Sequence, residues 1–80
     1  MNRDEDCVLA YSRGRCLLLY WLNKRNITQA EFARRTGWST RMVSYWCKGE
    51  RLMSVEAMYA AAMILEIHME DLYQWRLSAD

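Results

Sequence analysis

The middle of the chain contains two short segments that each begin at a hydroxyl side chain and end at a glycine. Thr28 and Gly37 bracket the first segment, and Ser39 and Gly49 bracket the second. A serine or threonine hydroxyl accepts a hydrogen bond from the free N–H groups at a helix N-terminus, and glycine favours the left-handed conformation that ends many helices. Glu31 follows Thr28 by three residues and completes a capping box. The sequence therefore predicts two short helices joined by a tight turn.

The rest of the chain is predicted to be helical as well. It has no proline and only three glycines, which favours an all-α fold. Its 80 residues suffice for one hydrophobic core, so we expect a single compact domain over residues 11–80, preceded by an acidic, flexible arm over residues 1–10. The five predicted helices span about residues 11–25, 29–36, 40–48, 55–66 and 69–76, and Ser54 is the expected N-cap of the fourth.

The charge is unevenly distributed along the chain. The net charge is only +1, which excludes a uniformly basic coat, but residues 13–51 contain nine basic and two acidic residues. Residues 1–12 and 52–80 are both acidic overall. Such asymmetry indicates a face that binds a polyanion, although solvated helix surfaces with chance clustering are an equally good interpretation of charge alone.

The predicted helix over residues 40–48 has two chemically different faces. At about 100° per residue, one side is apolar and carries Met42, Val43, Trp46 and Cys47. The opposite side carries Thr40, Arg41, Ser44, Tyr45 and Lys48. An arginine on such a face can bind guanine in a bidentate manner, and hydroxyl groups can bind a phosphate or a base edge.

The segment over residues 27–65, ITQAEFARRTGWSTRMVSYWCKGERLMSVEAMYAAAMIL, resembles the Cro/XRE (phage-repressor-like) helix-turn-helix family. It follows the family pattern T-Q-x-x-[LF]-A-x-x-x-G-[apolar]-S-x-x-x-[apolar]-S-x-[apolar]-x-x-G, and the resemblance extends over about residues 13–73. It implies a five-helix phage-repressor-like domain with its helix-turn-helix at residues 28–48. It also implies a bacterial or phage origin.

The resemblance implies a set of DNA-contacting residues. Gln29 is expected to contact phosphate or to brace the second helix of the motif, whose polar face enters the major groove of double-stranded DNA. Lys48 and Arg51 are expected to contact the DNA backbone. The full set expected to bind DNA is Gln29, Ser39, Thr40, Arg41, Ser44, Tyr45, Lys48 and Arg51.

No enzyme, metal or cofactor chemistry is predicted. The three cysteines and the single histidine have no zinc-ligand spacing, and no nucleophile is paired with a base. The cysteines are expected to be reduced thiols in a cytoplasmic protein. The family resemblance implies that this is the cytoplasm of a bacterial host cell, or its nucleoid. The longest apolar run, residues 16–22, is too short to span a bilayer. We therefore expect no cofactor, no small-molecule ligand and no membrane association.

Two functions from different classes remain open. The first is a sequence-specific transcriptional regulator that represses by occluding its operator. The alternative is a protein-interaction module, such as an antirepressor, an antitoxin-like partner or a phage accessory protein, which keeps the fold and binds DNA weakly or not at all. Apolar residues near both chain ends either complete the core or form a surface for a homodimer or protein partner. These residues are Leu19, Tyr20, Leu72 and Trp75.

Overall fold

Four α-helices and a two-stranded antiparallel sheet make up the fold. The structure is a computed structural model that describes residues 9–79. In chain order the elements are β1 (Leu9–Cys16), α1 (Leu18–Lys24), α2 (Gln29–Thr36), α3 (Thr40–Lys48), α4 (Val55–Leu65), a 3-10 helix (Met69–Leu72) and β2 (Tyr73–Ala79). The predicted arm over residues 1–10 lies outside the described residues except for its last two, which open β1.

Local capping interactions define the three central helices, as the sequence predicts. The hydroxyl oxygens of Thr28 and Ser39 accept hydrogen bonds of 3.0 and 3.1 Å from backbone N–H groups at the starts of α2 and α3. Ser54 caps α4 in the same way, at 3.1 Å. Gly37 and Gly49 end α2 and α3 with φ of 87° and 79°, the left-handed region in which a glycine is least strained.

The hydrophobic core lies where the helices meet. Its fully buried large side chains are Phe32, Leu18, Leu22, Leu65, Leu72 and Val43. Ala33 is also buried, which allows α2 to pack closely against α3. The rings of Trp38 and Trp46 pack edge to face with their centres 5.4 Å apart. Both tryptophans pack in or against the core, so they hold the start and the second half of α3 on it.

The predicted helix over residues 11–25 is wrong in its first half. β1 occupies the chain as far as Cys16, and only Leu18–Lys24 is helical. β1 pairs with the far end of the chain, where Tyr11 faces Leu77. The local spacing of apolar residues does not reveal a partner so far along the chain. Pairing with that partner overrides the weak helix propensity of residues 11–16.

The predicted helix over residues 69–76 is also wrong after its first turn. The Asp71 carboxylate accepts a hydrogen bond of 3.0 Å from the His68 N–H and closes a single 3-10 turn. Tyr73 then adopts extended backbone with φ −135° and begins β2, in which Tyr73 and Trp75 are aromatic residues of the kind that favours strands. The fold is therefore mainly α-helical with a small sheet, and the prediction of an all-α, five-helix domain is corrected at both ends.

The two strands form a ribbon, a name we use below for β1 and β2 together. Leu17 N–H donates a hydrogen bond of 2.7 Å to the Leu72 carbonyl and joins the base of the ribbon to the helices. Gly14 and Arg15 of β1 together stand opposite Gln74 of β2, because the pairing register shifts by one residue there. This extra residue is a β-bulge. Within residues 9–79, no helix has the length and apolar character needed to cross a bilayer.

Candidate nucleic-acid interface

Helix α3 presents a polar, basic face to solvent because its opposite face is fixed in the core. Val43 is fully buried and Trp46 is 3% exposed. The side chains that the sequence assigns to DNA contact lie away from these anchors. Ser39, Thr40, Arg41 and Lys48 are exposed, and Ser44 and Tyr45 are half-buried. The structure therefore brings six of the eight expected contact residues together along one helix and its cap.

The remaining two expected residues flank this helix. Gln29 is the first residue of α2, directly after the Thr28 cap, and is half-buried. The N-terminus of α2 carries partial positive charge, which suits a phosphate. Arg51 follows the C-terminus of α3 and is exposed, and its guanidinium lies 5.2 Å from the centre of the Tyr45 ring. Such a cation–π contact orients a long side chain that is otherwise free to rotate.

Hydrogen bonds hold the loop after α3 in place. The Glu50 N–H donates to the Tyr45 carbonyl at 2.9 Å, and the buried Met53 N–H donates to the Tyr73 hydroxyl at 3.0 Å. The second bond ties the loop to the first residue of β2. Arg51 is therefore carried by a segment that is anchored at both ends.

Two arginines in the first helix of the motif, α2, are already engaged within that helix. The Glu31 carboxylate accepts hydrogen bonds from Arg34 and Arg35, at the i,i+3 and i,i+4 positions of the helix. These hydrogen bonds lower the pKa of Glu31 to about 2, and the bond from Arg34 makes the larger contribution. Their positive charge is thus partly compensated, whereas among the described residues no ion pair involves Arg41, Lys48 or Arg51.

Another basic residue before the motif has a structural role. The Arg25 Nε donates a hydrogen bond of 2.7 Å to the Leu65 carbonyl at the end of α4, and its guanidinium lies 5.5 Å from the Trp21 ring centre. Leu65 is fully buried. Arg25 therefore joins α1 to α4 and satisfies a carbonyl that the helix leaves free.

The two cysteines that the structure describes are poor nucleophiles at neutral pH. Cys16 and Cys47 are half-buried, and burial raises the pKa of both thiols, that of Cys47 to about 11 with a further contribution from nearby Cys16. Both thiols are therefore protonated at neutral pH. Cys7 lies outside the described residues. Within residues 9–79, no cluster of metal-ligating side chains occurs.

The predicted partner surface is only partly available. Leu72 is fully buried in the core, so this residue is removed from the proposed surface. Leu19, Tyr20 and Trp75 are 41%, 53% and 44% exposed. Trp75 shares the ribbon with exposed Leu77, and side chains two residues apart on a strand point to the same face.

A groove that the sequence does not predict lies beside the C-terminal end of α3. Its volume is about 600 Å³, and β1, α1 and the loop after α3 form its walls. Lys48 and Arg51 line it together with Arg15 of β1. The helix predicted over residues 11–25 includes Arg15, which instead lies in β1; the one local signal for this setting is the neighbouring Gly14, which forms the bulge with it.

Comparison with known families agrees with this geometry. Residues 18–72 match the model of a family described as helix-turn-helix, of the Cro type. The match begins at the first residue of α1 and ends at the last residue of the 3-10 helix, so both strands lie outside it. No curated protein matches the chain.

Proposed function

The chain belongs to this helix-turn-helix family, and from that membership we propose that it is a sequence-specific transcriptional regulator that represses by occluding its operator. The family is one of DNA-binding regulators of transcription, and its partner is double-stranded DNA. One observation carries the proposal. The exposed face of α3 gathers Arg41, Lys48 and several hydroxyl groups on a helix that the core holds in a fixed orientation.

The chemistry of that face suits the major groove. Arg41 supplies a guanidinium that can donate two hydrogen bonds to guanine, and Thr40 and Ser44 supply hydroxyls that can donate or accept. Lys48 and Arg51 supply positive charge for flanking phosphates, which set the register of the helix on the duplex. A protein bound in this way represses by excluding polymerase from the same stretch of DNA.

The test is selection of duplexes from a random pool, followed by fluorescence anisotropy on the selected sequence and on a scrambled one. Loss of a bidentate base contact costs about 1–3 kcal/mol, so we expect Arg41→Ala to weaken binding to the selected duplex by about 5- to 150-fold. On the scrambled duplex the loss is much smaller, because only charge matters there. Arg34→Ala is the matched control, since it removes the same charge from an exposed helix position outside α3.

Two results contradict the regulator. One is the absence of any enriched sequence together with no binding at low salt. The other is an equal loss of affinity from Arg41→Ala and Arg34→Ala on the selected duplex, which would mean that α3 does not read bases.

The exposed apolar side chains favour a second candidate, a surface for self-association or for a protein partner. Tyr20, Trp75 and Leu77 are large apolar side chains that the described residues leave exposed, and they carry this proposal. A homodimer would place two recognition helices about one helical turn, roughly 34 Å, apart on a palindromic operator. Sedimentation of the wild type beside Trp75→Ser tests it: a dimer that the variant converts to a monomer is expected. A wild type that stays monomeric at all concentrations contradicts self-association.

A further inference from the structure

We propose that β1 supplies an additional contact to the DNA backbone, in which Arg15 joins Lys48 and Arg51 around the groove to bind phosphate. The proposal rests on the proposed function, because it describes how the same duplex is held beyond the end of α3. Arg15 lies before the segment that matches the family, residues 18–72. The contact therefore belongs to this chain's own first strand.

The charge of the groove favours a polyanion. Among the described residues, three cationic side chains line it, and none of the other lining residues carries a carboxylate. Within residues 9–79 the ion pairs join Glu31 to Arg34 and Arg35, so they leave the groove cations uncompensated. Like charges held along one groove repel each other, and an anion placed between them relieves that repulsion.

The bulge in β1 gives a structural reason for the position of Arg15. A Cβ atom on Gly14 would lie 2.8 Å from the Gln74 carbonyl oxygen, which is closer than two such atoms approach. Glycine is therefore required for β1 to pass β2 at this distance. Bulges redirect the side chain of the bulged strand, and here the bulged residues are Gly14 and Arg15. Arg15 is exposed and lines the groove.

The groove adjoins the face of α3 that we propose to bind DNA. Lys48 is the last residue of α3, and Arg51 contacts the Tyr45 ring on that face; both also line the groove. A duplex that reaches Tyr45 therefore has its flanking backbone beside these cations. All three cations are exposed, an arrangement that suits a repeating backbone already fixed by α3 better than a small anion, which needs enclosing polar groups.

The test is a salt series of anisotropy measurements on a random-sequence duplex of about 20 base pairs, where phosphate contacts dominate affinity. Each phosphate contact contributes about 0.9 to the slope of log affinity against log salt, so Arg15→Gln should make the slope shallower by about 0.9. Between about 50 and 200 mM salt, the wild type should then lose about 3.5-fold more affinity than the variant. Arg76→Gln is the matched control, because Arg76 is an exposed arginine of the same ribbon that does not line the groove.

The outcomes separate this proposal from the proposed function. A shallower slope for Arg15→Gln beside an unchanged slope for Arg76→Gln supports the contact. Equal slopes for wild type and Arg15→Gln overturn it, and so does an equal change in both variants, which would reflect net charge alone. If the wild type itself binds no duplex at low salt, the regulator fails, and this proposal fails with it. If Arg15→Gln has the same slope as the wild type while Arg41→Ala still weakens binding to the selected duplex, only the strand contact is overturned.

Discussion

The hydrogen bond between Met53 and Tyr73 should contribute measurably to stability, and Tyr73→Phe tests it. The substitution keeps the ring, which is 4% exposed and packs beside Arg13, and removes only the hydroxyl. The Met53 N–H then loses its hydrogen-bond acceptor, and water does not readily replace it because Met53 is only 6% exposed. An unsatisfied buried donor costs about 1–3 kcal/mol. For a domain of this size, each kcal/mol lowers Tm by about 4–8 °C.

The assay is thermal and urea unfolding followed by circular dichroism, with Tyr59→Phe as the matched control. Tyr59 is 58% exposed, so removing its hydroxyl should change the free energy of unfolding by less than about 0.5 kcal/mol. The same bond holds the loop that carries Arg51, so the Tyr73 variant should also bind DNA more weakly at a temperature where it is folded. If both variants unfold at the same temperature, the reasoning about this bond is refuted.

Three further predictions concern charge, the core and the thiols. Because Arg34 and Arg35 lower the pKa of Glu31 to about 2 from its ordinary 4.5, the stability that the ionised carboxylate contributes is present above pH 4.5 and is lost as pH falls towards 2. The free energies of unfolding of wild type and Glu31→Gln, measured with urea, should therefore converge at low pH, and a constant difference would contradict this. Leu72→Ala should lower the free energy of unfolding by about 2–5 kcal/mol, whereas the same change at exposed Leu77 should have little effect, and similar losses would show that Leu72 is not core. In a variant whose other cysteines are serine, Cys47 should be alkylated slowly at neutral pH and faster as pH rises towards about 11; rapid alkylation at neutral pH would contradict its burial.

Sequence reasoning succeeded where a structure is specified locally. The caps at Thr28, Ser39 and Ser54 each place a side-chain oxygen three residues before the N–H that it accepts from, so a helix start can be found within one turn of sequence. The glycine ends of α2 and α3 are equally local. The motif and its exposed polar face were therefore predictable.

The ribbon was not predictable in this way, because pairing of β1 and β2 joins opposite ends of the chain. Apolar residues at Leu72 and Trp75 also fit helical spacing, although one is buried in the core and the other lies on a strand. The groove was missed for the same reason, since Arg15 reaches it only when β1 is formed. A distant strand partner is a tertiary interaction that a single sequence does not display.

The central claim, that α3 binds DNA, is tested most directly by a ¹H–¹⁵N NMR titration of the labelled protein with the selected duplex. We expect the amide shifts to concentrate at residues 39–51 and at Gln29, with an additional shift at Arg15 if the strand contact is made. Amides at the far end of the ribbon, such as Tyr11 and Leu77, should remain unchanged. Shifts confined to the ribbon, or none at saturating DNA, would contradict the claim.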